Sequence, residues 1–437
     1  MSDSIQIVLT ALAALLVLFA IRVPIAVALG IVSFLGIAYV RGFGAAWGAL
    51  KTAPYEFGAH WSLSAVPMFL LMGAAAFRGG LTSSLFEAMR VWFGRLPGGL
   101  AIATNMASAV FAAASGSSVA SSAAMARIAV PEMLKSNYSP ALATGVVAAS
   151  GTLGALIPPS IIFVIYGWYT QTSIGTLLIA GIIPGLLTAG CYALLVLGIA
   201  LWKPEMAPRD TRISSFGEKM RVLGTIWPVP VLIVAVIGSI YSGVATATEA
   251  AALGAVSAIV LCAIRGTLTR QSLREMIGDT VGALGSIFFI ALGASLLTRF
   301  LALSGFPTYM MVMAQGAELS PLMIIMALVV VYLILGAFLD PIGIMLVTLP
   351  ILLPLFRAAD LDMIWMGVIV VKMIEIGMLT PPVGLNVFVV KAALGERVAL
   401  GTIFKGVSWF LMAEIVIMTL IIAFPQLTLW LPELMSR

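Results

Sequence analysis

The chain has 437 residues, 62% of them hydrophobic and only 9% charged, against roughly a quarter charged in soluble domains. Its mean hydropathy of +1.14 excludes water as the main solvent, and with it a soluble enzyme or binding domain. A net charge of +5 does not point to nucleic acid, because the Lys and Arg residues sit in short loops between apolar runs, where they set membrane orientation.

A bilayer core about 30 Å thick needs roughly 20 apolar residues per helix. Such runs occupy 5–20, 23–40, 61–77, 97–134, 139–169, 174–201, 223–264, 276–303, 320–357, 363–394 and 403–424, which defines an all-α polytopic membrane protein. Arg22 and Pro24 follow the first run without a small-residue cleavage site, so it reads as a span and not as a signal peptide. His60, beside Trp61 where a span begins, reads as an interfacial residue. Cys191 and Cys262 lie inside apolar runs without CxxC spacing and read as packing residues.

Four runs are interrupted. The run 97–134 breaks at Ser115-Gly116-Ser117-Ser118, and 320–357 breaks at Asp340-Pro341. Each predicts a re-entrant helical hairpin whose tip stops at membrane depth. The runs 139–169 and 363–394 break at Gly151 to Pro159 and at Ile376 to Pro382, predicting two broken transmembrane helices. If the basic loop Lys203 to Arg221 is cytoplasmic, 17 of the 23 Lys and Arg lie inside, leaving Arg41, Lys51, Arg357 and Arg437 outside. That arrangement opens the first hairpin to the cytoplasm and the second to the outside, with both termini periplasmic.

Adding 223 to the residue number carries Ser117 to Asp340, Pro131 to Pro354, Gly154 to Gly377, Leu156 to Leu379 and Pro158-Pro159 to Pro381-Pro382. One register thus aligns both tips and both broken helices. With the hairpins opening to opposite sides the repeat is inverted, an architecture that places transport sites where the halves meet. The expected division is 1–78 scaffold, 79–201 first transport half, 202–275 loops and central scaffold, 276–402 second transport half and 403–437 a C-terminal scaffold helix.

Backbone that leaves helix geometry inside a bilayer strands polar groups, each costing several kcal/mol unless something satisfies it. Unwound carbonyls and small hydroxyls can form an oxygen cage for a cation. The first cage is expected from Ser115, Gly116, Ser117 and Ser118 against Gly151, Thr152, Leu153 and Gly154, the second from Leu339 and Asp340 against Gly377, Met378 and Thr380. Helix N-termini at the same breaks favour an anionic solute, with Ser118, Thr152, Arg299, Asp340 and Asn386 as candidate contacts. The cages alone permit sodium or protons as the coupling ion.

Charges at membrane depth need individual reasons, since each costs about 2.5 to 3.5 kcal/mol even on lenient scales. Asp340 serves either the cation or the substrate. Glu249 caps or pairs at a break between apolar segments, in a structural or a functional role. Lys372 and Glu375 share a helical face and neutralise each other. Arg299 either holds a carboxylate or, the preferred reading, snorkels to the outer interface. Glu414 pairs within the last span, and Asn386 offers donor and acceptor to a solute or simply packs.

The strings Ser115-Gly116-Ser117-Ser118-Val119-Ala120, Ile128-Ala129-Val130-Pro131-Glu132-Met133, Gly151 to Ile161, Ala180-Gly181-Ile182-Ile183-Pro184-Gly185, Thr248-Glu249-Ala250-Ala251, Asp340-Pro341 and Leu379-Thr380-Pro381-Pro382-Val383-Gly384-Leu385-Asn386 resemble those of large membrane subunits of tripartite ATP-independent periplasmic (TRAP) transporters, in family order. The serine-rich Ser121-Ser122 is a departure from many relatives. The resemblance implies an elevator-type transporter of the inner membrane, driven by sodium ions. It also implies a separate small membrane subunit, a periplasmic substrate-binding protein and a small organic anion as cargo. A stand-alone cation-coupled permease of the same superfamily is the nearer alternative. A channel would need a continuous polar pore lining, and an enzyme a nucleophile, acid and base together.

Overall fold

The computed structural model describes residues 2–209, 215–316, 320–336 and 338–435. Arg437 and part of the Lys203 to Arg221 loop fall outside the described residues. Among the described residues every regular element is helical. The chain begins with α1 (Ser2–Ala20), α2 (Ile25–Arg41) and α3 (Phe43–Gly58), then α4 (Ala65–Arg78) after a 3-10 turn at Trp61–Ser64, and α5 (Leu81–Phe93). Two helices, α6 (Gly99–Ser115) and α7 (Ser118–Lys135), pack on each other across a two-residue link and form the first hairpin. The first broken span is α8 (Pro140–Leu156) and α9 (Ile161–Thr170), bent by 40°.

There follow α10 (Ile174–Ala180), α11 (Ile182–Trp202), α12 (Phe216–Leu223), α13 (Pro228–Ile233) and, after a π-helical turn, α14 (Ser239–Tyr241). The run 223–264 is therefore divided, and its second half is α15 (Ala247–Ile264). Thr246 caps α15 through a capping box in which the Glu249 carboxylate accepts both the Thr246 N–H and its hydroxyl, at 2.7 Å each. Glu249 thus has a local structural role: it satisfies the amides that open the helix.

The long α16 (Arg270–Leu303) and α17 (Phe306–Gly316) precede a second hairpin, α18 (Pro321–Gly336) with α19 (Pro341–Ala358). The second broken span is α20 (Met363–Gly377) with α21 (Leu385–Leu394), and α22 (Leu400–Ala423) and α23 (Gln426–Met435) close the chain. Six helices are long and apolar enough to cross a bilayer among the described residues, or up to eight if two bent pairs, α8 with α9 and α12 with the helix Pro228–Tyr241, each count as one span. Leu194, Phe289, Ile334 and Ile415 point outward from four different helices, as lipid-facing residues do.

The sequence repeat is visible in the helix bounds. Shifting α7 by 223 gives both ends of α19, and α2, α6, α8 and α9 land within two residues of α15, α18, α20 and α21. The copies interlock. Helix α2 packs on α16 while α4 packs on α15, and α9 packs on α19 and α20 while α21 packs on α7 and α8. Each broken span thus sends its second half into the other copy.

Helix α22, expected among the scaffold helices, packs along α8 and also meets α11, α20 and α21. The contact is backbone on backbone. A β-carbon on Gly406 would stand 1.8 Å from the Ala141 carbonyl oxygen, and one on Gly145 2.5 Å from the carbonyl carbon of Gly406. Small residues let helices in lipid approach this closely and gain dispersion in place of a hydrophobic effect. Gly406→Ala is therefore expected to destabilise the protein by about 1–3 kcal/mol. Gly401→Ala, on the same helix with open space around it, is the control. Thermal unfolding of the purified protein followed by tryptophan fluorescence checks both, and equal midpoints for the two variants would refute the close packing.

Candidate transport site

Each hairpin packs against a broken span, in places other than some of those expected. At the first tip Gly116 adopts φ +61° and ends α6. A β-carbon there would lie 2.5 Å from the Pro159 carbonyl oxygen, and one on Gly154 would lie 2.8 Å from that of Ser117. The tip is therefore pressed against both sides of the first break through positions where only glycine fits. Ser117 caps α7, its hydroxyl oxygen accepting the Ala120 N–H at 3.3 Å. Ser115 is buried, with its hydroxyl 3.1 Å from that of Ser121, and Ser118, also buried, opens α7.

The break itself lies at 157–160, not at Gly151 to Gly154, which continue α8 as regular helix. Glycine weakens a helix but keeps its amide, whereas Pro158 and Pro159 remove two donors in succession. Ser160 repairs the damage: its hydroxyl donates to the Ala155 carbonyl and its oxygen accepts the Phe163 N–H at 3.3 Å. Thr152 donates to the Ala149 carbonyl at 2.7 Å and turns toward Tyr192 on α11, away from the tip. The hydroxyl between the hairpin and α8 is instead that of Ser122 on α7, which is buried, has no partner among the described residues and stands 1.8 Å from where a β-carbon on Gly151 would be. The sequence reading passed over Ser122 as a family departure; its place one turn from the tip was the available signal.

At the second tip Asp340 caps α19, accepting the N–H groups of Ile342 and Gly343 at 3.2 Å each, in the register position of Ser117. Leu339 is buried beside it. A β-carbon on Gly336 would stand 2.7 Å from the Cα of Gly377, so the hairpin arm crosses α20 where that helix ends. Met378 is buried in the break, and its carbonyl accepts the Asn386 N–H at 3.1 Å. The Thr380 hydroxyl donates to the Ile376 carbonyl at 2.7 Å. Asn386 is fully buried and donates its side-chain N–H to the Ala148 carbonyl of α8 at 3.3 Å, which joins the two broken spans, while its Oδ1 has no partner among the described residues. Buried oxygens on Ser122 and Asn386 thus have hydrogen-bonding capacity that no described residue uses.

A cavity of about 360 Å³ runs from the first tip to α4 and α16, lined by Gly73, Phe77 and Arg78 of α4, Ser115, Ser117 and Arg127. Arg78 is held by Glu275 and, at 3.1 Å, by Asp279. Arg127 has no ion-pair partner among the described residues.

Arg299 does not join this site. Its guanidinium pairs with Glu56 and donates to the Thr52 hydroxyl at 3.0 Å, tying α16 to α3. Of its two expected readings, holding a carboxylate or snorkelling to the interface, the first is met within the protein, because the carboxylate it holds is that of Glu56. The Arg299 hydrogen bond holds Glu56, on a helix outside every apolar run, below the ordinary carboxylate range.

These features define a class: a multi-pass membrane transporter built on repeated hairpins and broken helices. The family model of the tripartite ATP-independent periplasmic transporter, DctM component, matches residues 12–427. The C4-dicarboxylate TRAP transporter large permease of Pseudomonas aeruginosa is 36% identical over 87% of this chain and 88% of its own. The sialic acid TRAP transporter large permease of Vibrio cholerae is 32% identical over 86% and 87%. Among solved structures, MtrF of Neisseria gonorrhoeae shares the fold, with a TM-score of 0.62 over 93% of this chain and 94% of its own at 14% identity. The chain belongs to the TRAP transporter family as a large permease component.

Arg299→Ala is expected to leave the KM of uptake unchanged, measured with radiolabelled solute. A rise of about tenfold, the loss of a charge-assisted contact, would put Arg299 on the solute after all. The Glu56 pairing, with its depressed carboxyl, contributes above the ordinary pKa and is lost as pH falls through the lowered value. Glu56→Gln should then unfold slightly earlier than wild type at neutral pH, by less than about 1 kcal/mol, and alike in strong acid.

Proposed function

We propose that this permease imports a small organic anion, of the carboxylate class, across the inner membrane of a bacterial or archaeal cell, coupled to sodium ions. A periplasmic binding protein delivers the anion, and a separate small membrane subunit completes the transporter. The two hairpins and broken spans carry the solute past a fixed scaffold, with the copies inverted and both termini periplasmic. The observation that supports this most is the pairing of each tip with a broken span in one register. Ser117 and Asp340 cap corresponding helices, and Gly154 and Gly377 receive corresponding hairpins.

The chemistry follows from that arrangement. Broken helices leave carbonyl oxygens at the tips, hard ligands suited to a small cation. The N-termini of α7, α9, α19 and α21 present amides and the positive ends of helix dipoles to an anion. A cation bound at a tip offsets the solute's negative charge, so each favours the other's binding, and coupling is the consequence. The cavity beside Ser117, with Arg127 in its wall, gives the anion a cationic path away from the first tip, on the cytoplasmic side in this orientation. The dicarboxylate and sialic acid of the relatives' names both carry carboxylates, which supports the solute class.

Uptake into proteoliposomes containing this chain with both partners tests the proposal. An inward sodium gradient should drive accumulation, and transport indifferent to sodium would refute the coupling. Ser117→Ala and Asp340→Ala should each lower sodium-driven uptake by at least about tenfold with normal membrane insertion. Wild-type rates in both would refute the cages.

A further inference from the structure

The cluster of Lys372 and Glu375 on α20, Glu414 on α22 and Tyr192 on α11 is buried, with none of the four side chains more than 1% exposed. The Lys372 ammonium donates to Glu375 Oε2 at 2.9 Å and to Glu414 Oε1 at 2.8 Å, and the Tyr192 hydroxyl donates to the same Glu414 oxygen. Glu375 Oε1 and Glu414 Oε2 are buried and have no partner among the described residues. One ammonium thus faces two carboxylates, and two acceptor atoms stand without a donor. A buried ion pair holds only where its charges are matched and its remaining lone pairs bonded.

The neighbouring helices do not supply the missing charge. Helix α8, packed on both α20 and α22, contains no titratable residue, and α10 contains none. Helix α11 adds Cys191, α9 Tyr166 and Tyr169, and α18 Tyr332, all neutral groups. Tyr166 is committed to the Met363 carbonyl, Tyr169 to the Thr298 hydroxyl and Tyr332 to the Thr348 hydroxyl. Of the cations, Lys391 on α21 is bonded to the Gly395 and Val398 carbonyls, while Arg357 ends α19 and Lys405 lies in the first turns of α22. Glu433 on α23 is an acid and supplies no positive charge.

We propose that Lys372, Glu375, Glu414 and Tyr192 form a binding site for one proton, carried on a carboxyl of Glu375 or Glu414. A proton makes the cluster neutral and turns one stranded acceptor into a donor. A metal ion is the poorer occupant, because the ammonium already fills the position between the carboxylates and would repel a second cation beside it. Placement argues for a site built for protonation: Glu375 stands in the last turn of α20, two residues before its end at Gly377, in the register position of Thr152. One repeat thus carries a hydroxyl where the other carries an acid, and ionisable groups at membrane depth are the usual carriers of protons. The site is independent of which ion drives uptake.

Infrared spectroscopy of the full chain in lipid nanodiscs at neutral pH tests this. The wild type should show the carbonyl band of a protonated carboxylic acid that is lost in Glu375→Gln or in Glu414→Gln. A spectrum without such a band, or a band that persists in both variants, overturns the proposal. Thermal unfolding gives a second reading that does not depend on band assignment. At least one of the two glutamine variants, standing for the protonated acid, should keep the wild-type midpoint, while Lys372→Gln lowers it. If both unfold as early as Lys372→Gln, or fail to fold, the cluster needs both carboxylates charged and holds no proton.

Discussion

Polar backbone that leaves the helix inside a membrane must find a partner within the protein, and this constraint organises the molecule. Four segments break helix geometry, and each is answered locally. Ser160 stitches α8 to α9 across two prolines, and the Asn386 amide closes the second break onto Met378. The tips are held by contacts that only glycine permits, Gly116 against Pro159 and Gly336 against Gly377. With the capping done by side chains and close packing, the Ser122 hydroxyl and the Asn386 Oδ1 are left without partners among the described residues.

The same constraint accounts for the interlocked copies. A broken span whose second half packed only on its own hairpin would leave the break at a surface. Here α9 is received by α19 and α20, and α21 by α7 and α8, so both breaks lie among helices of both copies. Asn386 bonds the start of α21 to α8, and the Lys372 cluster ties α20 to α22 and α11. Helix α22 is thus joined to the broken spans by polar as well as glycine contacts.

Much of this was legible in the sequence, because prolines, glycine strings and a register of 223 are local or periodic signals. The hairpin limits, both broken spans and the correspondence of Ser117 with Asp340 come from such signals. What escaped depends on partners distant in sequence. That Arg299 meets Glu56, that Glu414 joins Lys372, and that α22 lies along α8 are facts of packing between segments hundreds of residues apart or on different faces. The misplaced first break has a local reason: Gly151 and Gly154 mark close approach of the hairpin, not loss of helix, and one sequence cannot separate these two uses of glycine. Thr152 was assigned to the tip by nearness in sequence, while the helical turn carries it to the opposite face.

The proposed cation sites lie where each tip meets its broken span. Ligand binding to the folded state raises its stability in proportion to the logarithm of ligand concentration above Kd. The direct measurement is therefore the unfolding temperature of the purified permease as sodium replaces choline at constant ionic strength. The account predicts a saturable rise with sodium that disappears when Ser117 and Asp340 are replaced together. An unfolding temperature that follows ionic strength alone, unchanged by sodium, would contradict it.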